Sequence, residues 1–290
     1  MAIALITGAS SGIGLATAIA LARANHRVIA TMRNLASAGE LLSLVAAERL
    51  PVSTLTLDVD DDTSVVRGFE QALIECGHID VLVNNAGIAG PGAVDEMPLH
   101  AFRQIMETNY FGALRCIKAV LPGMLARRTG CIVNITSVAG RVAIAPQAAY
   151  VASKFALEGL SECLAQEVKA FNVRVALIEP GAIATSIFTK MGQPQTAYPQ
   201  GRRLARLFAA LTKQPTPPSV VGQQIRQIVE GDSWQLRYVI GPHAPIVLKW
   251  RARTSDEDWV SLLAGSDFEW AAAVKRELGV DLTYTSGPKS

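Results

Sequence analysis

The chain has 290 residues, half of them apolar and 18% charged, with a formal net charge of +2. That length admits one large α/β domain or two small ones, and the apolar content suits a sheet buried on both faces. The balanced charge argues against nucleic acid as the main partner, because no basic stripe or arginine run is present. The nearest approach to one, Arg202, Arg203 and Arg206, reads as a solvated helix face. The four cysteines (Cys76, Cys116, Cys131, Cys163) lack C-x-x-C spacing and read as buried free thiols of a reducing compartment. The four histidines are equally scattered, so no metal-site spacing appears. Residues 2–22 carry no charge and approach the length of a membrane span. Glycines interrupt that run, however, and a strand, a turn and a helix explain it better than a span. The expectation is a cytoplasmic protein without a membrane span.

In chain order, residues 2–7 form a short apolar run, the first strand. Gly8-x-x-x-Gly12-x-Gly14 follows, with Ser10, Ser11 and Ile13 between the glycines, and then a helix-forming stretch. Glycine at such a turn lets the backbone approach a pyrophosphate, and the helix N-terminus that follows favours its negative charge. Residues 27–31 read as a second strand with Arg33 just beyond its end, and no Asp or Glu occurs between Val28 and Gly39. In a dinucleotide-binding unit an acid at that place holds the ribose 2′-hydroxyl of NAD, whereas an Arg accepts the 2′-phosphate of NADP. NADP(H) is therefore preferred, with NAD(H) possible. Helix 36–49, strand 52–57 closed by Asp58-Val59, helix 62–75 and strand 79–83 come next. Asn84-Asn85-Ala86-Gly87 then ends a buried strand, where the two amides need partners, either in neighbouring strands or on a cofactor.

One continuous helical segment is expected over 99–125, with Asn109 in its middle, where Asn is unfavourable without a specific role. Strand 131–136 delivers Ser137, helix 147–171 carries Tyr150 and Lys154, and strand 173–178 leads into Pro180, Gly181, Ile183 and Thr185. Such regular alternation of strand and helix demands a parallel sheet covered on both faces. Residues 186–218, rich in Gln, Pro and Arg, read as a segment with one helix covering the mouth of the sheet. A helix over 219–230, a last strand over 236–240 and a helical tail over 244–279 complete the chain. All four tryptophans fall between residues 234 and 270, as a substrate or partner surface or as packing for an added helix.

Tyr150 and Lys154 stand four apart on one helix and share a face. A cation beside the phenol favours the phenolate and lowers its pKa toward the working range of a general acid or base. Ser137, thirteen positions earlier, would hold the oxygen of an alcohol or carbonyl while Tyr150 exchanges its proton. Alone, Tyr-x-x-x-Lys is compatible with an aromatic beside a solvated lysine; the glycine turn and the Asn pair give it weight.

Together these motifs resemble the short-chain dehydrogenase/reductase family, at its spacing and in its order, over residues 2 to about 240. The resemblance implies Tyr150 as acid/base, Ser137 as holder of the reacting oxygen and Lys154 as tuner of the phenol and ligand of the nicotinamide ribose. It implies that Asn109 holds a water in a proton relay. It places Asp58 and Val59 on the adenine, Asn85, Ala86 and Gly87 beside the cofactor, and Pro180, Gly181, Ile183 and Thr185 around the nicotinamide. A Rossmann-type doubly wound parallel sheet of seven strands in the order 3-2-1-4-5-6-7, and a homodimer or homotetramer, are likewise implied. The run from Ala30 to Arg33 and the helix from Tyr150 look most like the 17β-hydroxysteroid and retinol dehydrogenase-like branch. The expected organisation is a domain over 1–243, with 186–218 as substrate lid and 244–290 as a helical extension. The expected activity is hydride transfer between NADP(H) and a bulky apolar alcohol or ketone. The alternatives are a 3-oxoacyl thioester reductase, with the three arginines receiving an acidic carrier, and a non-catalytic NADP sensor.

Overall fold

Seven parallel strands build one sheet in the computed structural model, which describes residues 1–187 and 196–282. In chain order they are β1 (Ile3–Ile6), β2 (Arg27–Met32), β3 (Val52–Thr56), β4 (Val81–Asn84), β5 (Gly130–Ile135), β6 (Val173–Pro180) and β7 (Arg237–Ile240). Their order across the sheet is β3-β2-β1-β4-β5-β6-β7, as the resemblance implies. Ile6 therefore lies between Ala30 and Val83, and the strand order reverses between β1 and β4. That reversal opens a crevice at the carboxyl ends of the strands, the usual ligand site of an open α/β sheet.

Alternate residues of each strand face opposite sides, so the sheet carries two cores. Ala4, Ile6, Val28, Val83 and Ile178 pack against α1 (Gly12–Arg23), α2 (Gly39–Glu48) and a later helix, Pro218–Glu230. Leu5, Ile29, Leu82 and Ile132 face α3 (Asp62–Cys76) and the two long helices Gly112–Arg127 and Ala148–Val168. Of the cysteines, Cys116 and Cys131 are buried, and burial pushes their thiols up to about 12 and about 11. Cys76 is half-buried and Cys163 is exposed, which corrects the expectation of four buried thiols.

The segment expected as one helix is interrupted. α4 (Leu99–Met106) and α5 (Gly112–Arg127) are joined by a π-helical turn, Glu107–Phe111, in which the Gly112 amide reaches back to the Glu107 carbonyl. Such a turn bulges one residue out of register, and the residue at its centre is Asn109. Helix α6 (Ala148–Val168) then runs uninterrupted beneath it.

The C-terminal part holds α7 (Pro199–Leu211), α8 (Pro218–Glu230), α9 (Ala244–Arg253), α10 (Asp256–Ala264) and α11 (Asp267–Leu278). Residues 188–195 of the expected lid and 283–290 of the expected extension lie outside the described residues. Trp250, Trp259 and Trp270 are buried together with Val142, Leu207 and Leu278 in a third apolar cluster. Trp259 meets Trp250 edge-on at 5.1 Å between ring centroids, and its indole N–H donates to the Ala143 carbonyl at 3.1 Å. Three of the four tryptophans thus fasten the tail to the sheet domain, while Trp234 stays exposed.

Arg203 corrects the reading of a solvated arginine face. It is only 6% exposed; its guanidinium bonds Asp267 at 2.6 Å, the Leu263 carbonyl at 2.9 Å and the Gly265 carbonyl at 2.6 Å. α7 is thereby stapled to the turn between α10 and α11. Removing one partner of a buried charge pair costs about 3 kcal/mol or more, because the other charge is left desolvated. Arg203→Ala is expected to lower the stability by about that amount, read as a fall in the urea midpoint with an unchanged slope.

Candidate active site

The glycine turn after β1 is shaped by close backbone approach. Gly8 and Gly12 have φ of +64° and +58°, a region that suits glycine and strains other residues. A Cβ at Gly8 would sit 2.9 Å from the Ala86 Cα, and one at Gly14 would sit 2.5 Å from both the Asn85 amide nitrogen and the Gly8 carbonyl. The turn is fastened to the end of β4 by side chains. Thr7 Oγ1 accepts from the amides of Asn85 and Ala86, both at 3.0 Å. Asn85 Nδ2 donates to the carbonyls of Thr7 at 2.9 Å and Gly8 at 3.0 Å. Ser11, which precedes α1, makes no side-chain capping bond, so the amides of the first turn of α1 point at the crevice without a side-chain acceptor. A cradle that a Cβ would fill, facing open helix amides, fits a pyrophosphate.

One cavity of about 710 Å³ runs from this turn across the carboxyl ends of the strands. At one end Arg33 lines it with Ser10, Ser11, Asn34 and Ser37. Arg33 is exposed just past β2 and has no hydrogen bond or ion pair to the other described residues; its charge is felt by Asp60. Asp58 and Val59 also line the wall, Asp58 with its main-chain amide held by Ser64 Oγ at 2.9 Å. Burial pushes the Asp60 carboxyl up, opposed by its hydrogen bond from Thr108.

At the centre stand Ser137, Tyr150 and Lys154. β5 ends at Ile135 and delivers Ser137, whose Oγ accepts from the Ala139 amide at 3.1 Å and which lines the cavity with Tyr150. Lys154, 5% exposed, donates from Nζ to the Ile135 carbonyl at 2.8 Å and lies 5.7 Å from the Tyr150 ring centroid. Burial lowers its pKa to about 8, with the Glu158 carboxylate one turn on acting the other way. Tyr150 keeps part of its surface open, but burial of the phenol pushes its pKa up and the Ser137 hydroxyl opposes that. Lys154 is not among the groups that shift the phenol here, and its ammonium donates to the Ile135 carbonyl.

Asn109, 1% exposed, stands behind the cavity. Its Oδ1 accepts from the Ile88 amide at 2.8 Å, and its Nδ2 donates to the Ile88 carbonyl and to Ser153 Oγ, both at 2.9 Å. Both amide protons of the side chain are thus engaged, and the π-helical turn is clamped to the loop after β4 and to α6. Gly87 abuts this clamp, 3.3 Å from Asn109 Oδ1 at the position its Cβ would take. Asn84 bonds Asn134 at 2.9 Å, and Asn134 bonds Ser161 at 2.8 Å, so of the two adjacent asparagines one ties strands and the other ties the glycine turn. Ala86, Gly87, Pro180, Gly181, Ile183 and Thr185 line the cavity; Gly14 and Asn109 support it from behind.

The remaining wall is apolar: Val142, Ile144, Leu204, Leu207, Val247 and Leu278, from the Ser137 loop, α7, α9 and α11. Gln147, one turn before Tyr150, also lines the cavity, as do Ser186 and His243, and none of these was singled out from the sequence. Neither was Thr7, whose clamp becomes visible only once β1 and β4 are neighbours. A buried cluster behind Lys154 was also missed: Arg237 Nε lies 3.0 Å from Glu158 and 3.3 Å from Glu179, and Arg141 lies 3.4 Å from Glu179. Burial, and next the Glu158 charge, push the fully buried Glu179 carboxyl up.

The chain matches the short chain dehydrogenase family over residues 2–196. It belongs to that family. The oxidoreductase YusZ of Bacillus subtilis is 36% identical over 272 residues, covering 90% of this chain and 96% of that protein. Human retinol dehydrogenase 8 is 45% identical over 195 residues, but the match spans only 64% of this chain and 60% of that protein. A 3-ketodihydrosphingosine reductase of Bacteroides thetaiotaomicron is 36% identical, over 83% of this chain and 88% of that protein. Among solved structures, a short-chain dehydrogenase from Streptomyces avermitilis superposes with a TM-score of 0.78 at 34% identity, covering 95% of this chain and 98% of that one. An alcohol dehydrogenase of Thermococcus sibiricus, complexed with 5-hydroxy-NADP, gives 0.71 at 26% identity over 83% and 96%. This short-chain dehydrogenase is accordingly an oxidoreductase. No helix among the described residues is long and apolar enough to cross a membrane.

The lysine makes the stability depend on pH in a stated direction. Unfolded, Lys154 keeps its proton up to about 10.5; folded, it releases it near 8, so the unfolded state binds more protons between those values. Stability rises with pH wherever that holds. The wild type is expected to gain stability through this window relative to Lys154→Met, measured as the difference in urea midpoint at successive pH values.

Proposed function

We propose that the protein is an NADP(H)-dependent oxidoreductase acting on a bulky apolar secondary alcohol or ketone. The observation that carries this reading is the placing of Ser137, Tyr150 and Lys154 in one cavity with the glycine-turn cradle and an apolar wall. When bound, the nicotinamide supplies or accepts the hydride, the chemistry that no side chain here provides. Gly8, Ser10, Ser11, Gly12 and Ile13 would hold the pyrophosphate side, with Gly14 opening α1 behind them. Asp58, Val59, Asn85, Ala86 and Gly87 would flank the adenosine, and Pro180, Gly181, Ile183 and Thr185 the nicotinamide.

In the direction of reduction, Ser137 and Tyr150 orient the carbonyl oxygen and Tyr150 delivers its proton to it. A phenol kept neutral by burial is ready for that donation. Lys154 holds positive charge behind the phenol as the phenolate forms, favouring the ionised state at the moment it matters. Asn109 keeps the loop after β4 and α6 in register with each other. Because its side-chain protons are engaged, any water it contributes to a proton relay would rest on its main-chain carbonyl.

Preference for NADP(H) over NAD(H) is supported by Arg33 at the end of β2, with the serines beside it and no acid in that place. The 5-hydroxy-NADP complex of the Thermococcus sibiricus relative is in keeping with it. The apolar wall from α7, α9 and α11 supports a bulky substrate, with α7 serving as lid and the tail completing the pocket. Relatives named for retinol and for 3-ketodihydrosphingosine agree with an apolar substrate. Exposed Phe111 and Phe155 near the long helices support pairing into a homodimer or homotetramer through them, and free cysteines suit the cytoplasm. Of the three arginines behind the thioester-reductase alternative, Arg203 is held inside by Asp267, while Arg202 and Arg206 stay exposed.

The test is nicotinamide oxidation by the purified protein against ketones from small aliphatics to long-chain and polycyclic ones. Tyr150→Phe is expected to lower kcat at least about a hundredfold with a modest change in KM, the loss of a general acid. Arg33→Ala is expected to reduce the preference for NADPH over NADH by about tenfold or more, the worth of hydrogen bonds to a charged phosphate. Turnover with no ketone by a protein that binds NADPH would overturn the reading.

A further inference from the structure

Gln147 is 7% exposed, and what remains open faces the substrate side of the cavity. Its main-chain carbonyl accepts from Val151 at 2.9 Å, and the Gly92 amide bonds the carbonyl of Pro146 just before it at 2.8 Å. Its side chain has nothing. It makes no capping bond to α6, and among the described residues it neither donates nor accepts a hydrogen bond. Neither polar atom of the amide is among the buried unpaired ones, so the amide meets the open cavity, beside Val142 and Ile144, which are apolar and pack with the tail. A substrate that covers it without pairing it strips it of water, at a cost on the order of 1–3 kcal/mol.

Gln147 precedes Tyr150 by three positions at the start of α6. As the N-cap of that helix it lines the same cavity as Tyr150. A substrate oxygen seated on Tyr150 and Ser137 therefore brings the next few atoms of the substrate past the Gln147 amide. That amide offers one acceptor and two donor protons, enough to match a hydroxyl, which needs both an acceptor and a donor.

We propose that Gln147 is a specificity-determining residue that hydrogen-bonds a second polar group, a hydroxyl or amine, on a carbon within a few bonds of the reacting carbonyl. The substrate class is then narrower than an apolar ketone: an amphiphile with an apolar tail along α7 and the C-terminal helices, and a hydroxy- or amino-ketone head at Tyr150. This rests on the reading of the site as a ketone reductase. It adds a requirement that the catalytic residues do not impose.

A matched pair of ketones tests it: ethyl undecyl ketone, and its counterpart hydroxylated at the end of the ethyl group. The wild type is expected to favour the hydroxylated ketone in kcat/KM by about tenfold or more, since a plain ketone leaves the buried amide unpaired. In Gln147→Leu the ratio is expected to fall to about one, chiefly by a gain for the plain ketone. Thermal stability should change little, since the main-chain bonds remain. A wild-type ratio near one, or a ratio unchanged in Gln147→Leu, overturns the assignment while leaving the ketone-reductase reading intact. If neither ketone is reduced, that reading falls instead. Calorimetric binding of the same two compounds to wild type and Gln147→Leu, with NADPH present, then decides the subsite by the same ratio. A variant that fails to fold leaves the wild-type ratio as the deciding number.

Discussion

The fastening of the glycine turn to the end of β4, through Thr7 and Asn85, is the constraint on which the site depends. β1 and β4 are neighbours only because the strand order reverses there, and the reversal leaves the two carboxyl ends without a covering helix crossover. Four short hydrogen bonds close that seam. They place the Asn85 amide where any side chain at Gly14 would have to be, and the Ala86 backbone where any side chain at Gly8 would be. The glycines are thus required twice over, by the ligand they can approach and by the seam they are pressed against. In the same contacts the loop 85–88 is brought to the place where Asn109 seizes Ile88.

From that loop the constraint passes to α6. Asn109 bonds Ile88 on one side and Ser153 on the other, and Ser153 in turn donates to the Tyr150 carbonyl at 2.7 Å. The π-helical turn is what points Asn109 inward; in an uninterrupted helix its neighbours would be one residue out of register. Lys154 is anchored independently, to the carbonyl at the end of β5. Three strands, one distorted helix and α6 therefore agree on the position of the phenol. The charged cluster of Glu158, Glu179, Arg237 and Arg141 lies behind this, holding β6, β7 and α6 together around a lysine that burial would otherwise strip of its proton.

Much of this was legible in the sequence because it is local or periodic. Each strand is a short apolar run, and each turn residue carries a backbone requirement that its type betrays. Spacing alone set Tyr150 and Lys154 on one face. What stayed hidden depends on partners distant in the chain. Arg203 looked solvated because its acceptors, Leu263, Gly265 and Asp267, lie some sixty residues away. The helix over 99–125 looked continuous because nothing in its residue types excludes an α-helical Asn109; the pull comes from Ile88 and Ser153. Trp250, Trp259 and Trp270 left two readings open until the third cluster chose packing. The desolvation that pushes the Tyr150 phenol up likewise depends on burial, which spacing does not reveal.

The proposed reaction has Tyr150 protonating an oxygen while hydride passes at the neighbouring carbon, and an isotope label with a Tyr150 variant reports on both. The measurement is transfer of deuterium from NADPH labelled at nicotinamide C4 to a bulky ketone, with the alcohol analysed by mass spectrometry. The expected result is one deuterium at the carbinol carbon from one of the two labelled epimers, with at least about a hundredfold less product in Tyr150→Phe. An unlabelled alcohol from both epimers, or a variant as fast as the wild type, would contradict the account.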